Sequence, residues 1–182
     1  MLIPSRGKLL ISEPFIQDPS FERSVILLVE KNQLGTIGFI LNQQLNILVK
    51  DVMDKLALPQ AIYQGGPVAL DSLHFLYHGS KPIHNSLSVI KGLYWGGDFK
   101  ELVIKIDKGE ILPENIRFYL GYSGWDCGQL EAEIERKTWL VAPAHIDSVF
   151  NLDATKLWKQ TMQSLGGEFA LLANSPLNPN LN

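Results

Sequence analysis

Apolar positions along the chain fall mostly into short runs that are typical of β-strands. The run at 25–29 is unbroken, which is typical of a strand covered on both faces. Turn-forming residues such as those at 31–35 separate several runs, and this arrangement favours hairpins. The pattern predicts strands at residues 8–12, 24–30, 36–42, 61–64, 73–78, 87–90, 116–122 and 138–142.

Apolar residues repeated every three or four positions predict helices between these strands. Gly97-Asp98 can begin one helix, with Gly109 as a suitable C-terminal stop, and Asp153 is a suitable N-cap for another. The glycine-flanked segment 123–128 is predicted to be a turn that leads into a helix. The pattern predicts four helices, at residues 47–56, 98–108, 129–136 and 153–165.

Strands and helices do not follow the regular βαβ alternation that builds a parallel sheet. The order therefore favours an α+β fold with a mainly antiparallel sheet, and glycines within several strands favour a strongly bent one. We expect a single domain over residues 1–173, since domains cluster at about 100–200 residues. The Asn- and Pro-rich tail at 174–182 is expected to be frayed.

Composition and charge exclude or disfavour several classes of function for this protein. The 182 residues carry a formal net charge of −3, whereas nucleic-acid-binding proteins usually carry a basic stripe. One cysteine excludes an internal disulfide framework and a Cys-rich zinc site. The chain begins without a secretory signal pattern and has no apolar run near the ~20 residues that span a bilayer. We therefore expect a cytoplasmic protein without membrane association.

The segment Gly-Tyr-Ser-Gly-Trp at 121–125 is the first candidate for chemistry. A nucleophile elbow requires Gly-x-Ser-x-Gly, but the residue two positions after Ser123 is Trp125. The mismatch favours a tight turn that sets Trp125 against the core. Cys127 lies before a predicted helix, whose N-terminus can lower the pKa of a thiol. An enzyme that uses Ser123 or Cys127, a hydrolase or a thiol-dependent redox protein, stays an alternative.

Other polar residues allow a structural and a functional interpretation. His74 and His78 share a face of a predicted strand, but a catalytic zinc site needs three protein ligands. Arg23 precedes the most apolar strand, so a carboxylate partner is expected, with anion recognition as the alternative. Glu131 and Glu133 lie at the start of a predicted helix, where carboxylates suit the helix dipole.

Several motifs in series resemble the YqgE/AlgH family of small bacterial proteins. The resemblance covers about residues 7–170, and its most specific part is 121–125 followed by 128–133. Further matching motifs lie at residues 7–11, 18–25, 35–42, 65–68 and 73–74. The resemblance implies an α+β fold whose bent sheet forms a pseudo-barrel flanked by helices. It also implies the label of transcriptional regulator that the family carries, although its biochemical role is not established.

The leading hypothesis is a non-enzymatic binding or regulatory protein with no cofactor and no metal. An unknown protein or a small ligand is the expected partner, and a homodimer is an option. Nucleic-acid binding stays a further alternative, which the charge disfavours. Motif residues at strand ends and turns, where ligand sites tend to lie, define the candidate surface. It consists of Arg23, Asn42, Gly65, Gly66, Pro67, Ser123, Gly124, Trp125, Gln129 and Glu131.

Overall fold

The computed structural model describes residues 3–150 and 153–176, so the predicted tail from 177 onward lies outside the described residues. The strands are β1 (Lys8–Ser12), β2 (Val25–Asn32), β3 (Gly35–Ile40), β4 (Gln44–Leu48), β5 (Ala61–Gln64), β6 (Val68–His78), β7 (Leu87–Ile90), β8 (Leu93–Trp95), β9 (Ile116–Asp126) and β10 (Trp139–Pro143). The helices are α1 (Val49–Val52), α2 (Phe99–Asp107), α3 (Gln129–Glu135), α4 (Ile146–Phe150), α5 (Ala154–Ser164) and α6 (Gly167–Leu172). None of these helices is long and apolar enough to cross a bilayer.

The strands form one large sheet in the order β10-β1-β2-β3-β9-β6-β8-β7. Every pairing along this path is antiparallel, while the β4–β5 hairpin joins it through a short parallel pairing of β5 with β9. The predicted α+β class with a mainly antiparallel sheet is therefore confirmed. The long strand β9 is central, because β6 pairs along one edge while β5 and then β3 share the other.

The sheet bends strongly toward itself without closing. A Cβ atom at Gly7, just before β1, would lie 3.0 Å from the carbonyl oxygen of Val89 in β7. The last strand of the path, β7, thus packs against the residue that leads into β1, the second strand of the path. Among the described residues no hydrogen-bonded ladder joins β7 to β10, so the bent sheet stays open rather than forming a closed barrel.

The strand β2 has both faces buried, as its continuous apolar run predicts. Val25, Leu27 and Val29 belong to a core cluster that also holds Trp158 of α5. Ile26 and Leu28 point to the opposite face, where a second cluster holds aromatic residues beneath α3. Since side chains alternate along a strand, one unbroken apolar run supplies two separate cores. A third cluster lies between β6, β9 and α2.

Two predicted elements are wrong. The helix expected over 47–56 is a strand end followed by the short α1, because Leu48 pairs with Ala61 and the Val49 N–H donates to the Gln60 carbonyl. The turn expected over 123–128 is strand as far as Asp126, because β3 pairs with this part of β9. In both places a distant segment supplies hydrogen bonds that override the local pattern.

Both predicted helix starts are confirmed, and an aspartate caps each of them. The Asp98 side chain accepts a hydrogen bond from the Glu101 N–H at the start of α2. The Asp153 side chain accepts one from the Thr155 N–H at the start of α5. An aspartate oxygen at an N-cap satisfies an N–H group that has no partner within the helix, so these ends are set by local chemistry and can be predicted locally.

Candidate functional site

Gly65 lies where the edge of β9 changes partners from β5 to β3. Its N–H donates to the Leu120 carbonyl at 2.8 Å, and its carbonyl accepts from the Ile40 N–H at 2.9 Å. A Cβ atom at Gly65 would lie 2.3 Å from the carbonyl oxygen of Gly121. The glycine is therefore required because two backbones touch here.

The backbone of Gly66 also lies against that of β9. It has a φ of +154°, and a Cβ atom there would lie 2.3 Å from the backbone of Tyr122. The segment that resembled a ligand-binding glycine turn is thus a buried crossing of strands. Within the described structure, the space between residues 65–66 and 121–123 is filled by backbone rather than by a pocket.

The two nucleophile candidates are not paired with a base. The Ser123 side chain is fully buried, and its hydroxyl donates to the Gly65 carbonyl at 3.0 Å. Cys127 is exposed and makes no hydrogen bond within the described part of the chain. A general base must lie within hydrogen-bond reach of the proton it takes, and among the described residues neither group has a histidine or carboxylate in that position.

Arg23 and Asn42 form a cluster of their own. The Asn42 side chain accepts from the Val25 N–H and donates to the Arg23 carbonyl, both at 2.8 Å, which holds the left-handed backbone of Arg23 at a φ of +46°. The Arg23 guanidinium donates to the Ser175 carbonyl and lies 4.9 Å from the centre of the Trp158 ring. Among the described residues no carboxylate pairs with Arg23, and a carbonyl and an indole face stand where that partner was expected.

Glu133 of α3 connects the aromatic residues beneath the helix. One of its carboxylate oxygens accepts from the indole N–H of Trp125 at 2.9 Å and from that of Trp139 at 2.8 Å. The other oxygen accepts from the Gln129 side-chain amide at 2.9 Å. All three donors are neutral, and no cation within the described residues lies at ion-pair distance from this carboxylate.

A surface groove of about 520 Å³ opens beside Glu133. The segment after β1 forms one wall, and Phe21 from this wall lies 6.3 Å from the Trp125 ring and 5.4 Å from the Trp139 ring, centre to centre. The exposed Phe15 lies on the same wall. This surface, termed the tryptophan groove, is lined by Glu13, Phe15, Ile16, Gln17, Asp18, Phe21, Pro67, Gly124, Trp125, Gln129, Glu133, Arg136, Thr138 and Trp139.

The structure brings together four of the ten residues of the candidate surface. Pro67, Gly124, Trp125 and Gln129 line the tryptophan groove. Gly65, Gly66 and Ser123 are buried in the strand crossing, and Arg23 and Asn42 belong to the separate cluster near the C-terminal segment. Glu131 forms an ion pair with Lys31 of β2, and the hydrogen bond from that lysine lowers the pKa of the Glu131 carboxyl.

The charged and aromatic residues of the groove wall were not found by sequence reasoning. Glu13, Asp18 and Phe21 precede β2 in a segment without periodicity, and Glu133 looked like an ordinary first-turn carboxylate. Its spacing from Trp125 is eight residues and from Trp139 six. Only the pairing of β9 with β3, which extends the strand to Asp126, places both indoles under one helix.

His74 of β6 is packed among aromatic rings rather than grouped with metal ligands. The rings of Phe39, Trp95 and Tyr122 lie 5.2, 6.2 and 6.0 Å from it, centre to centre. Its Nε2 atom is 3.0 Å from the Ser72 hydroxyl oxygen. Within the described ranges no three His, Cys, Asp or Glu side chains are grouped as metal ligands.

Burial lowers the pKa of His74 from its ordinary value, so the folded protein should lose stability in mild acid. Above pH 6.5 the histidine is neutral in both states and has no effect. As pH falls through about 6.5, the unfolded chain takes up the proton more readily than the folded one. Urea unfolding at about pH 7.5 and 5 should show this loss, and His74→Gln should reduce it. An equal loss in that variant would contradict the prediction.

Comparisons with known proteins agree on one family. An AlgH-like family model (DUF179) matches residues 9–170. A UPF0301 protein of Cytophaga hutchinsonii is 41% identical over 180 residues, which are 98% of this chain and 99% of that protein. A UPF0301 protein of Chlorobaculum tepidum is 40% identical over 177 residues, covering 97% and 95%.

Solved structures give the same result. A crystal structure of a Corynebacterium diphtheriae protein superposes with a TM-score of 0.81 at 25% identity, covering 96% of this chain and 94% of that one. The solution structure of the AlgH protein from Pseudomonas aeruginosa gives a TM-score of 0.72 at 30% identity, covering 97% and 98%. The family match, the relatives and the shared fold cover nearly the whole chain, which therefore belongs to the AlgH-like family of bacterial proteins.

Proposed function

We propose that this protein is a non-enzymatic binding protein of the bacterial cytoplasm, which takes up a basic segment of a partner protein in the tryptophan groove. The observation that carries the proposal is the Glu133 carboxylate. Three neutral donors hold it in place, while within the described residues no cation lies at ion-pair distance from it. An ion in a partly buried position gains more from an opposite charge than an exposed ion does. A guanidinium or ammonium group is the partner that this site lacks.

The rest of the groove supports the same type of ligand. Glu13 and Asp18 add two carboxylates to that of Glu133, against the single guanidinium of Arg136. The exposed ring of Phe15 offers apolar surface beside these charges. Arginine and lysine side chains combine an apolar stem with a charged end, and a cation near an aromatic face gains further attraction. The groove therefore suits a basic side chain with its stem along the wall.

The same charges disfavour direct binding of nucleic acid. Affinity for DNA or RNA comes largely from lysine and arginine contacts with phosphates, whereas the tryptophan groove carries three carboxylates and one arginine. The chain as a whole has a net charge of −3. If the protein regulates transcription, as the family label implies, we propose that it acts through a protein partner and not by reading DNA.

An NMR titration of the full chain with short arginine-containing peptides tests the proposal. The indole N–H signals of Trp125 and Trp139 should shift, because both groups bind the carboxylate that the guanidinium approaches. The same peptides with citrulline in place of arginine should bind about tenfold more weakly, as expected for a lost charge-assisted hydrogen bond. Added salt should weaken the arginine peptides more than the citrulline ones.

The double variant Glu13→Gln with Asp18→Asn removes two groove charges and should weaken arginine peptides about three- to tenfold, as loss of two exposed attractions predicts. Asparagine can still accept the Ser20 N–H bond that Asp18 accepts. The matched control is Glu131→Gln, which removes one charge from α3 outside the groove lining. Equal affinity for citrulline peptides, or shifts that avoid both indoles, would contradict the proposal.

A further inference from the structure

A second concave surface lies around Arg117 of β9 and shares no lining residue with the tryptophan groove. Its volume is about 430 Å³, and β5, the segment before β9 and the end of α4 enclose it. We propose that it is a binding site for a small monocarboxylate, with the Arg117 guanidinium as the carboxylate-binding group. This site does not depend on the function proposed for the groove.

The guanidinium of Arg117 is held in place without a negatively charged partner. Its carbon lies 4.4 Å from the centre of the Tyr63 ring, and one terminal nitrogen donates to the Leu41 carbonyl at 3.3 Å. Among the described residues it forms no ion pair. A guanidinium has five N–H donors in a rigid plane, so the donors that remain can form two parallel hydrogen bonds with a carboxylate.

Tyr119 lies next to this group, in the core and outside the cavity lining. Residues 117 and 119 point to the same face of β9, because side chains two apart in a strand share a face. The Tyr119 hydroxyl is buried and has no hydrogen bond of normal geometry within the described structure. Burial raises the pKa of Tyr119, and the neighbouring charge of Arg117 acts in the opposite sense. A protonated buried hydroxyl without an acceptor is rare in folded proteins.

The remaining lining indicates a singly charged ligand with an apolar part. Leu48, Pro59 and Phe150 give the cavity apolar walls, while Glu114 places a negative charge at its rim. One arginine balances one carboxylate, whereas a phosphate dianion would meet both too little positive charge and repulsion from Glu114. The aromatic rings of Tyr63 and Phe150 suit a flat or aliphatic group attached to the carboxylate.

The test uses benzoate as the probe and NMR spectroscopy of the full chain as the measurement. Benzoate should shift the amide signals of Tyr63 and Arg117, with a dissociation constant of about a millimolar, as expected for a ligand of this size. Benzamide, which has the same ring without the charge, should bind about tenfold more weakly or more. Inorganic phosphate should bind more weakly than benzoate.

Two variants test whether benzoate binding depends on the charges of this site. Arg117→Gln should weaken benzoate about 10- to 100-fold, and its unfolding curve checks that the fold is kept. Glu114→Gln should tighten benzoate about two- to fivefold, because an exposed like charge is removed. Glu114 is exposed, in a segment Pro113–Asn115 that has no buried residue, so this variant leaves the core unchanged.

Three results with the unaltered protein would overturn the site. They are an absence of shifts with benzoate, equal binding of benzamide, and stronger binding of phosphate. Unaltered benzoate binding in a folded Arg117→Gln variant would also overturn it. Failure here leaves the arginine-peptide titration of the groove unaffected, because the two surfaces have no lining residue in common.

Discussion

Replacing Gly65 by alanine should cost about 3 kcal/mol or more of the free energy of unfolding, or prevent folding. The added methyl group would lie 2.3 Å from the carbonyl oxygen of Gly121 and 2.8 Å from the ring of Phe39. The first contact is with backbone, which cannot turn away as a side chain can. Relief would require β9 to move away from the crossing segment, and this would break the bonds from Ile40 and Ser123 to the Gly65 carbonyl. Urea unfolding followed by tryptophan fluorescence measures the effect.

Gly124→Ala is the matched control, because it also changes a glycine of a family motif. A Cβ atom at Gly124 would lie 3.1 Å from the ring edge of Tyr122 and 3.8 Å from a methyl group of Val68, and both are side chains that can rotate. The expected cost is below about 1 kcal/mol, as for exposed positions that adjust. If both variants were equally stable, the close approach of the two backbones at Gly65 would not be a constraint on this fold.

The burial of both faces of β2 could be predicted because it depends only on consecutive residues of the strand. Each residue from Val25 to Val29 is apolar, and a strand needs no further information to send alternate side chains to opposite faces. The caps at Asp98 and Asp153 are equally local, since each carboxylate binds an N–H group two or three residues away. Features of this kind depend on neighbours in sequence.

The end of β9 could not be predicted in the same way. Residues 123–126 contain a serine, a glycine and an aspartate, which are typical of turns. They are strand because β3 offers them a ladder, with Thr36 opposite Trp125. The segments that pair here are about ninety residues apart, and the pattern of neighbouring residues does not indicate a contact at that distance. The same limit applies to the helix expected over 47–56, because β5 holds its start in a strand and only Val49–Val52 is helical.

The residues of the candidate site also divide into those that the local sequence indicates and those that only the folded sheet brings together. Trp125 and Gln129 could be selected because they belong to a recognisable motif, and they line the groove. Glu131 and Glu133 look alike in sequence, yet one is paired with a lysine of β2 and the other binds two indoles. Which of two helix carboxylates faces inward depends on how α3 is set on the sheet, and this orientation arises only when β9 and β10 are in place.

Replacing Glu133 by alanine should lower the free energy of unfolding by about 2–4 kcal/mol. The substitution removes the acceptor of two indole N–H groups, and Trp125 and Trp139 are only 5% and 1% exposed. Each buried donor left without a partner costs about 1–3 kcal/mol. The Gln129 amide also loses its acceptor, although water can replace that bond because Gln129 is exposed. Chemical unfolding gives the free energy, and the two indole N–H signals in NMR spectra should move most.

Glu131→Ala is the control for Glu133→Ala, because both remove a carboxylate from α3 two residues apart. The Glu131 side chain is 43% exposed, and its ion pair with Lys31 is a surface pair, which is worth at most about 1 kcal/mol. Glu133→Gln should fall between the two, since its carbonyl oxygen can still accept an indole bond while its amide group cannot. Equal stability of the two alanine variants would show that the carboxylate of Glu133 does not hold the tryptophan pair, and the groove would then lose the fixed charge on which its proposed ligand depends.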